Sequence, residues 1–138
     1  MWTYNQLSGE LRKDGVLLGI GYSGHGQGKN NPALEQDVDV GPIPAGSWTI
    51  CGPPYDTTTH GPYVLRLEPD RLTPLYGRAG FLIHGDSLEH PGQGSEGCIA
   101  ISPRDKRSAV YQSGDTKLLV ISGISQVTAG IPQQKDFP

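Results

Sequence analysis

A mainly β fold with one short helix is what this chain predicts, on three observations. Glycine and proline together make up about a quarter of its 138 residues (20 Gly and 12 Pro), a density that demands many turns and disfavours long helices. Short apolar runs recur between these turn residues, and some alternate at period two. Helix-start signals gather at one place only, after Ala100-Ile101. The length suits a single domain, 1–138, large enough to bury a core.

Taken in order, Trp2–Leu7 reads as the first strand, and Ser8-Gly9 turns it into Glu10-Leu11-Arg12. Asp14-Gly15 is a hairpin signal, because both residues accept the positive φ of a tight turn. Val16–Tyr22 returns, which completes a three-stranded meander. Residues 24–39 are polar and begin rich in Gly and Asn, a loop suited to border a site. Its spaced glycines, Gly24, Gly26 and Gly28, resemble a phosphate loop only superficially, since no helix opening with Lys-Ser/Thr follows. The turn from Gly41 to Gly46 leads into a strand from Ser47 to Cys51, which Pro53-Pro54 is expected to break. Val64–Pro69 alternates at period two in its middle, like a half-buried strand. Tyr76–Gly80 then turns into the run Phe81-Leu82-Ile83, which delivers His84. A second run, Ile99-Ala100-Ile101, follows Ser95-Glu96-Gly97-Cys98. Ser102 suits an N-cap, with Pro103 in the first turn and Asp105 three residues on, so a helix is expected through Tyr111 to Gly114. Lys117–Ile121 is the last strand, and 123–138 reads as an irregular tail.

Charged residues are 18% of the chain and the net charge is −3, so nothing steers it towards nucleic acid or an anionic membrane. Cys51 and Cys98 form no CxxC pair, which excludes zinc-ribbon and thioredoxin-type sites. A disulfide between them would remove the one thiol in a reactive setting. There is no basic, apolar leader and no run of about 18 apolar residues, so the ordinary expectation is a cytoplasmic protein. No metal or other cofactor is expected.

The stretch from Phe81 to Ser102 concentrates the chemistry. Two neighbouring strands joined by a Gly/Pro-rich loop can bring His84 near Cys98. A thiol is a weak nucleophile until an imidazole takes its proton. Gly97 lets the backbone pass close to a bound carbonyl, and the amides around Cys98 are candidate oxyanion donors. Ser95 either bonds the imidazole or begins the strand. Glu96 either meets a substrate amine or is a solvated turn residue. Asp86, two residues after His84, either orients the imidazole or caps the loop. The pair by itself also fits a buried thiol and an unrelated histidine. His25, His60 and His90 read as exposed loop histidines, Trp48 and Tyr111 as core aromatics, and Cys51 as an inert strand thiol.

Three features together resemble the YkuD-type L,D-transpeptidases: the strand ending in His84, the Ser95-Glu96-Gly97-Cys98-Ile99 core, and Gly41-Pro42-Ile43-Pro44-Ala45-Gly46-Ser47-Trp48-Thr49-Ile50. The opening MWTYNQLSGEL, the GYSG…GKNNP stretch and FLIHGD…SEGCI are similar to the type VI secretion L,D-transpeptidase effectors. The resemblance implies an L,D-transpeptidase-like β-sandwich with one short helix after the Cys strand. It also implies an antibacterial toxin, made in the cytoplasm without a signal peptide and acting in the periplasm of a target bacterium. Its partners would be peptidoglycan stem peptides, a periplasmic immunity protein and a secretion-apparatus carrier.

On that resemblance Cys98, His84 and Ser95 are catalytic, and Gly97, Glu96, Asp86 and Arg78 bind substrate. Glu96 stands where the broader family has His, and Ala100 where it often has Arg; Arg78 or Arg104 would then supply the missing charge. The implied reaction is attack of Cys98 on the carbonyl of the third stem residue, meso-diaminopimelate. His84 relays the proton and a thioester forms. Water, a D-amino acid or a second stem's amine then accepts the acyl group, and the sequence does not choose among them. Two other classes stand beside this reading. One is a zinc hydrolase using His84, Asp86, His90 and Cys98; the other is a non-catalytic wall-binding module.

Overall fold

The computed structural model describes residues 1–124, so the tail expected from 123 onward lies almost wholly outside the described residues. Among the described residues there are nine strands and one α-helix: β1 (Trp2–Asn5), β2 (Glu10–Lys13), β3 (Val16–Ile20), β4 (Tyr22–Ser23), β5 (Gly46–Thr57), β6 (Gly61–Pro69), β7 (Leu82–His84), β8 (Ile99–Ala100), α1 (Arg104–Gln112) and β9 (Lys117–Ile121). The fold is mainly β with its one short helix after the Cys98 segment, as the sequence predicts.

All nine strands belong to one sheet, in the order β3-β2-β1-β9-β5-β6-β7-β8-β4. The two ends of that order, β3 and β4, are separated along the chain by Gly21 alone. Neighbouring strands lie about 4.8 Å apart, so a flat sheet of nine would hold its edges roughly 40 Å from each other. One residue bridges that gap only if the sheet curls over on itself. The curl encloses a core that includes Trp2, Tyr4, Trp48, Leu65, Ile83 and Ile99. Gly21 sits where the ends meet, and a Cβ there would collide with the carbonyl of Ala100 in β8.

The meander forms as read. Asp14 (φ 48°) and Gly15 (φ 86°) make the tight turn, and β1 buries Trp2 and Tyr4 on alternate positions. β9 completes this half by pairing parallel to β1 and antiparallel to β5.

Four local expectations are corrected. The return strand ends at Ile20; Tyr22 and Ser23 cross to pair antiparallel with Ala100 and Ile99 of β8. Pro53-Pro54 does not break β5, which runs to Thr57. The prolines fall where the register against β6 shifts between Cys51 and Tyr55, and the β9 ladder on the other side reaches only Thr49. No ladder amide is therefore lost to them. Ser102 does not cap α1: Pro103 is the N-cap, and Ser102 Oγ accepts from the Asp86 amide at 2.9 Å. Tyr111 is exposed rather than core, whereas Trp48 is buried and meets Phe81 edge-on at 5.0 Å between ring centres.

Candidate active site

β7 and β8 lie side by side and parallel, with Ile83 opposite Ile99 and His84 opposite Ala100. The chain therefore leaves His84 on one strand and arrives at Cys98 just before its neighbour. Both line one cleft of ≈ 330 Å³, together with Val38, Asp39, His60, Arg78, Phe81, Glu96 and Gly97. The loop expected to border a site does so through Val38 and Asp39.

His84 is buried, with its Nδ1 2.7 Å from the Gly85 carbonyl. A carbonyl can only accept, so Nδ1 carries the proton and Nε2 is left as the base. Burial, reinforced by His60 and Arg107, holds the imidazole below its ordinary range. Cys98 is half-buried, its Sγ 3.6 Å from the Gly80 carbonyl. Burial pushes its thiol up to about 11, while the Leu82 amide and the Arg78 charge pull the other way. Near neutrality the resting pair is thus a neutral thiol and a neutral imidazole.

The other predicted residues sort into roles that the spacing did not settle. Ser95, fully buried, does not bond the imidazole. Its Oγ donates to the Cys98 carbonyl at 2.6 Å and accepts from the Gly97 and Gly24 amides at 3.1 and 3.0 Å. It staples the loop that carries the thiol. Asp86 takes the loop-capping role: it accepts from Tyr22 Oη at 2.6 Å and from the Ser87 and Gly92 amides at 2.7 and 3.0 Å. Burial alone would raise this carboxyl, but those bonds outweigh it and hold the group below its usual value. Tyr22 Oη in turn accepts from the Gly94 amide at 2.6 Å.

Arg78 is buried, and its guanidinium donates to the carbonyls of Pro42 at 2.8 Å, Gly41 at 2.9 Å, Glu96 at 3.4 Å and Glu35. It also lies 5.2 Å over the Phe81 ring. It therefore braces the cleft wall and adds positive charge near the sulfur. Gly97 (φ 139°) is glycine for two reasons: its backbone conformation, and the collision a Cβ would make with that guanidinium. Glu96 is exposed on the cleft. Arg104 lies in a second cavity, against Tyr63. Of the two arginines only Arg78 reaches the Cys98 cleft.

His60 is the functional candidate the sequence reading missed. It does not stand free in a loop; its ring lies 4.8 Å from that of His84, tilted by 42°. The only sequence signal was a His in a Thr-rich turn between two strand-like runs. Reading Pro53-Pro54 as a strand break hid the long hairpin that carries it. Among the described residues no group of three or more His, Cys, Asp or Glu is arranged to hold a metal ion, so His84, Asp86, His90 and Cys98 do not form the ligand set of the zinc reading. No described helix is long and apolar enough to cross a membrane.

A search of curated proteins finds no match. Residues 19–123 match the family model of the Tlde1 domain, a span that holds both halves of the cleft and every predicted site residue. The chain belongs to the Tlde1 domain family, the L,D-transpeptidase effectors of type VI secretion.

Proposed function

We propose that the protein is a cysteine-dependent enzyme that acts on peptidoglycan stem peptides at the bond between diaminopimelate and D-Ala. The observation that carries the reading is the shared cleft of Cys98 and a buried His84 whose Nδ1 is tied to the Gly85 carbonyl, so that Nε2 is the free base.

Sγ attacks the diaminopimelate carbonyl carbon and its proton passes to His84 Nε2. Because the resting pair is neutral, this transfer accompanies attack. The Gly97 amide already donates to Ser95, which leaves the Cys98 amide as the candidate donor to the oxyanion. The C–N bond then breaks, His84 returns the proton to the departing D-Ala amine, and a thioester remains. Water or the amine of a D-amino acid next attacks the thioester. Its proton goes to His84 and then to the leaving sulfur, restoring the thiol. The first acceptor gives L,D-carboxypeptidase action and the second gives D-amino-acid exchange. Arg78 stabilises charge on the sulfur as it develops. Asp39 and Glu96 on the cleft suit a substrate bearing a free amine, which diaminopimelate has. Stems so trimmed or capped weaken a growing wall, which fits a toxin acting in a rival's periplasm and answered there by an immunity protein.

Mass spectrometry of purified muropeptides, incubated with the protein with and without D-Met, tests the reading. The expected result is loss of D-Ala from tetrapeptide stems, and D-Met in its place when supplied. Unchanged stems with folded protein and reduced Cys98 would overturn it in favour of a wall-binding module.

A further inference from the structure

The hairpin between β5 and β6 ends beside the catalytic imidazole, and its tip is built in detail. The His60 amide donates to Thr57 Oγ1 at 2.6 Å, and His60 Nδ1 lies 3.0 Å from Thr59 Oγ1. The first fixes the backbone of the turn and the second holds the ring from within it. Two further residues close the turn: Gly61 (φ 80°), and Tyr63 (φ 57°), whose amide donates to Asp56 at 3.1 Å.

The hairpin is latched from the other side by Arg107 of α1, which is buried. Its Nε donates to the Tyr63 carbonyl at 2.8 Å, its Nη2 to that of Pro62 at 2.9 Å and its Nη1 to that of Ile101 at 2.7 Å. Ile101 directly follows β8, and its amide donates to the His84 carbonyl at 2.8 Å. One side chain thus ties the hairpin tip to the strand beside His84. A second cavity, of ≈ 720 Å³, meets the Cys98 cleft at two residues only, His60 and His84. The imidazole pair is the partition between the two spaces.

We propose that His60 is a positioning residue for His84: packed against it at a tilt from the hairpin tip, it holds the imidazole in place and shields it from water. This inference rests on His84 being the base of the reaction proposed above. His60 does not contact the thiol's substrate in this role; it acts through His84. A ring packed against a buried imidazole limits its rotation and makes its charged form costlier. The charged or titratable groups facing His84 are His60 from the hairpin, Arg107 from α1 and Asp86 from the following loop, with Cys98 across the cleft. His60 and Arg107 oppose protonation of His84, and Asp86 favours it. His60 is also in ring contact with His84, 4.8 Å between ring centres.

The test compares His60→Ala and His60→Phe in the full chain. In His60→Ala, kcat on muropeptides should fall roughly ten- to hundredfold with little change in KM. The acid limb of its pH profile should move to higher pH, because an uncovered His84 protonates more readily. His60→Phe keeps the covering ring and should recover most of the kcat and most of the limb's position. The His84 C–H titration, followed by NMR, needs no substrate; it should move upward in His60→Ala and stay near wild type in His60→Phe. An unmoved His84 titration in His60→Ala, with fold intact by circular dichroism, overturns the positioning role whatever the substrate is. Inactivity of wild type on muropeptides with a moved titration would sink the substrate reading and leave this one standing.

Discussion

The half of the sheet built from β3, β2, β1, β9, β5 and β6 and the half built from β7, β8 and β4 are held together by different physics. In the first, strands of four to twelve residues pair along long ladders. Its ion pairs are on the surface, where the Met1 amine and Lys13 gather Asp14 and Asp115. In the second, the strands have three, two and two residues. Ladders that short do not fix register. Polar side chains take over, with the buried Ser95, Ser23, Arg78 and Arg107 and the half-buried Asp86 each bonding to backbone across a loop. The difference teaches where precision comes from here. Long ladders set the register of the first half, and side-chain bonds set the position of Cys98 relative to His84 in the second.

The largest effects on turnover should come from the reacting groups. Cys98→Ala and His84→Ala should each lower turnover of muropeptides at least about a thousandfold. Cys98→Ala should melt close to wild type, whereas His84→Ala, which empties a buried site, should melt lower while remaining folded. Full activity in either variant, with unchanged circular dichroism, would break the mechanism. Next come the braces of the site half, where activity and stability should fall together. Ser95→Ala leaves the Gly97 and Gly24 amides without their acceptor in a buried place and should cost about 2–4 kcal/mol in urea unfolding. A Ser95→Ala protein as stable as wild type would mean that the loop does not depend on this hydroxyl.

The pH dependence should be smaller and has a definite sign. The neutral imidazole is the working form, and burial holds His84 below the ordinary value of about 6.5. Activity should therefore persist below that pH and fall only as the lowered value is crossed. The same shift makes stability fall on acidification, because the unfolded chain takes up the proton that the fold resists. His84→Gln should flatten that part of the stability curve. On the alkaline side, alkylation of Cys98 by iodoacetamide should keep rising towards pH 11, following its thiol at about 11. The smallest effect belongs to the ladder half. Asp115→Asn breaks the Met1 and Lys13 contacts but should leave the melting curve unchanged within error, since exposed ion pairs contribute little.

What the sequence made legible follows the same division. The Asp14-Gly15 turn, the meander and Lys117–Ile121 were readable because local pattern and turn chemistry decide them. Cys98 and His84 were readable because each ends or precedes an apolar run that must be a strand. The loop-capping role of Asp86 was among the readings its position offered, but its Tyr22 partner and the bracing roles of Ser95 and Arg78 were not readable. Their partners, such as Gly24, Tyr22 and Gly41, lie far away in sequence, and a hydroxyl or guanidinium carries no sign of which carbonyl it will meet. His60 was hidden for a related reason: Pro53-Pro54 argues against a strand unless the shift in pairing at that point is known.

The meeting of the sheet's two ends at Gly21 has a bearing on when the enzyme becomes active. The bonds that seat β4 and its neighbours on the thiol loop join residues 71 to 74 positions apart, as in Gly24 to Ser95, Gly94 to Tyr22 and Ser23 to Gly97. Closing loops of that size is entropically slow, and such contacts form late. A chain still emerging from the ribosome, or threaded unfolded through a narrow conduit, has Cys98 and His84 but no cleft. Reactivity towards a cell wall arrives only once the ring of strands has shut.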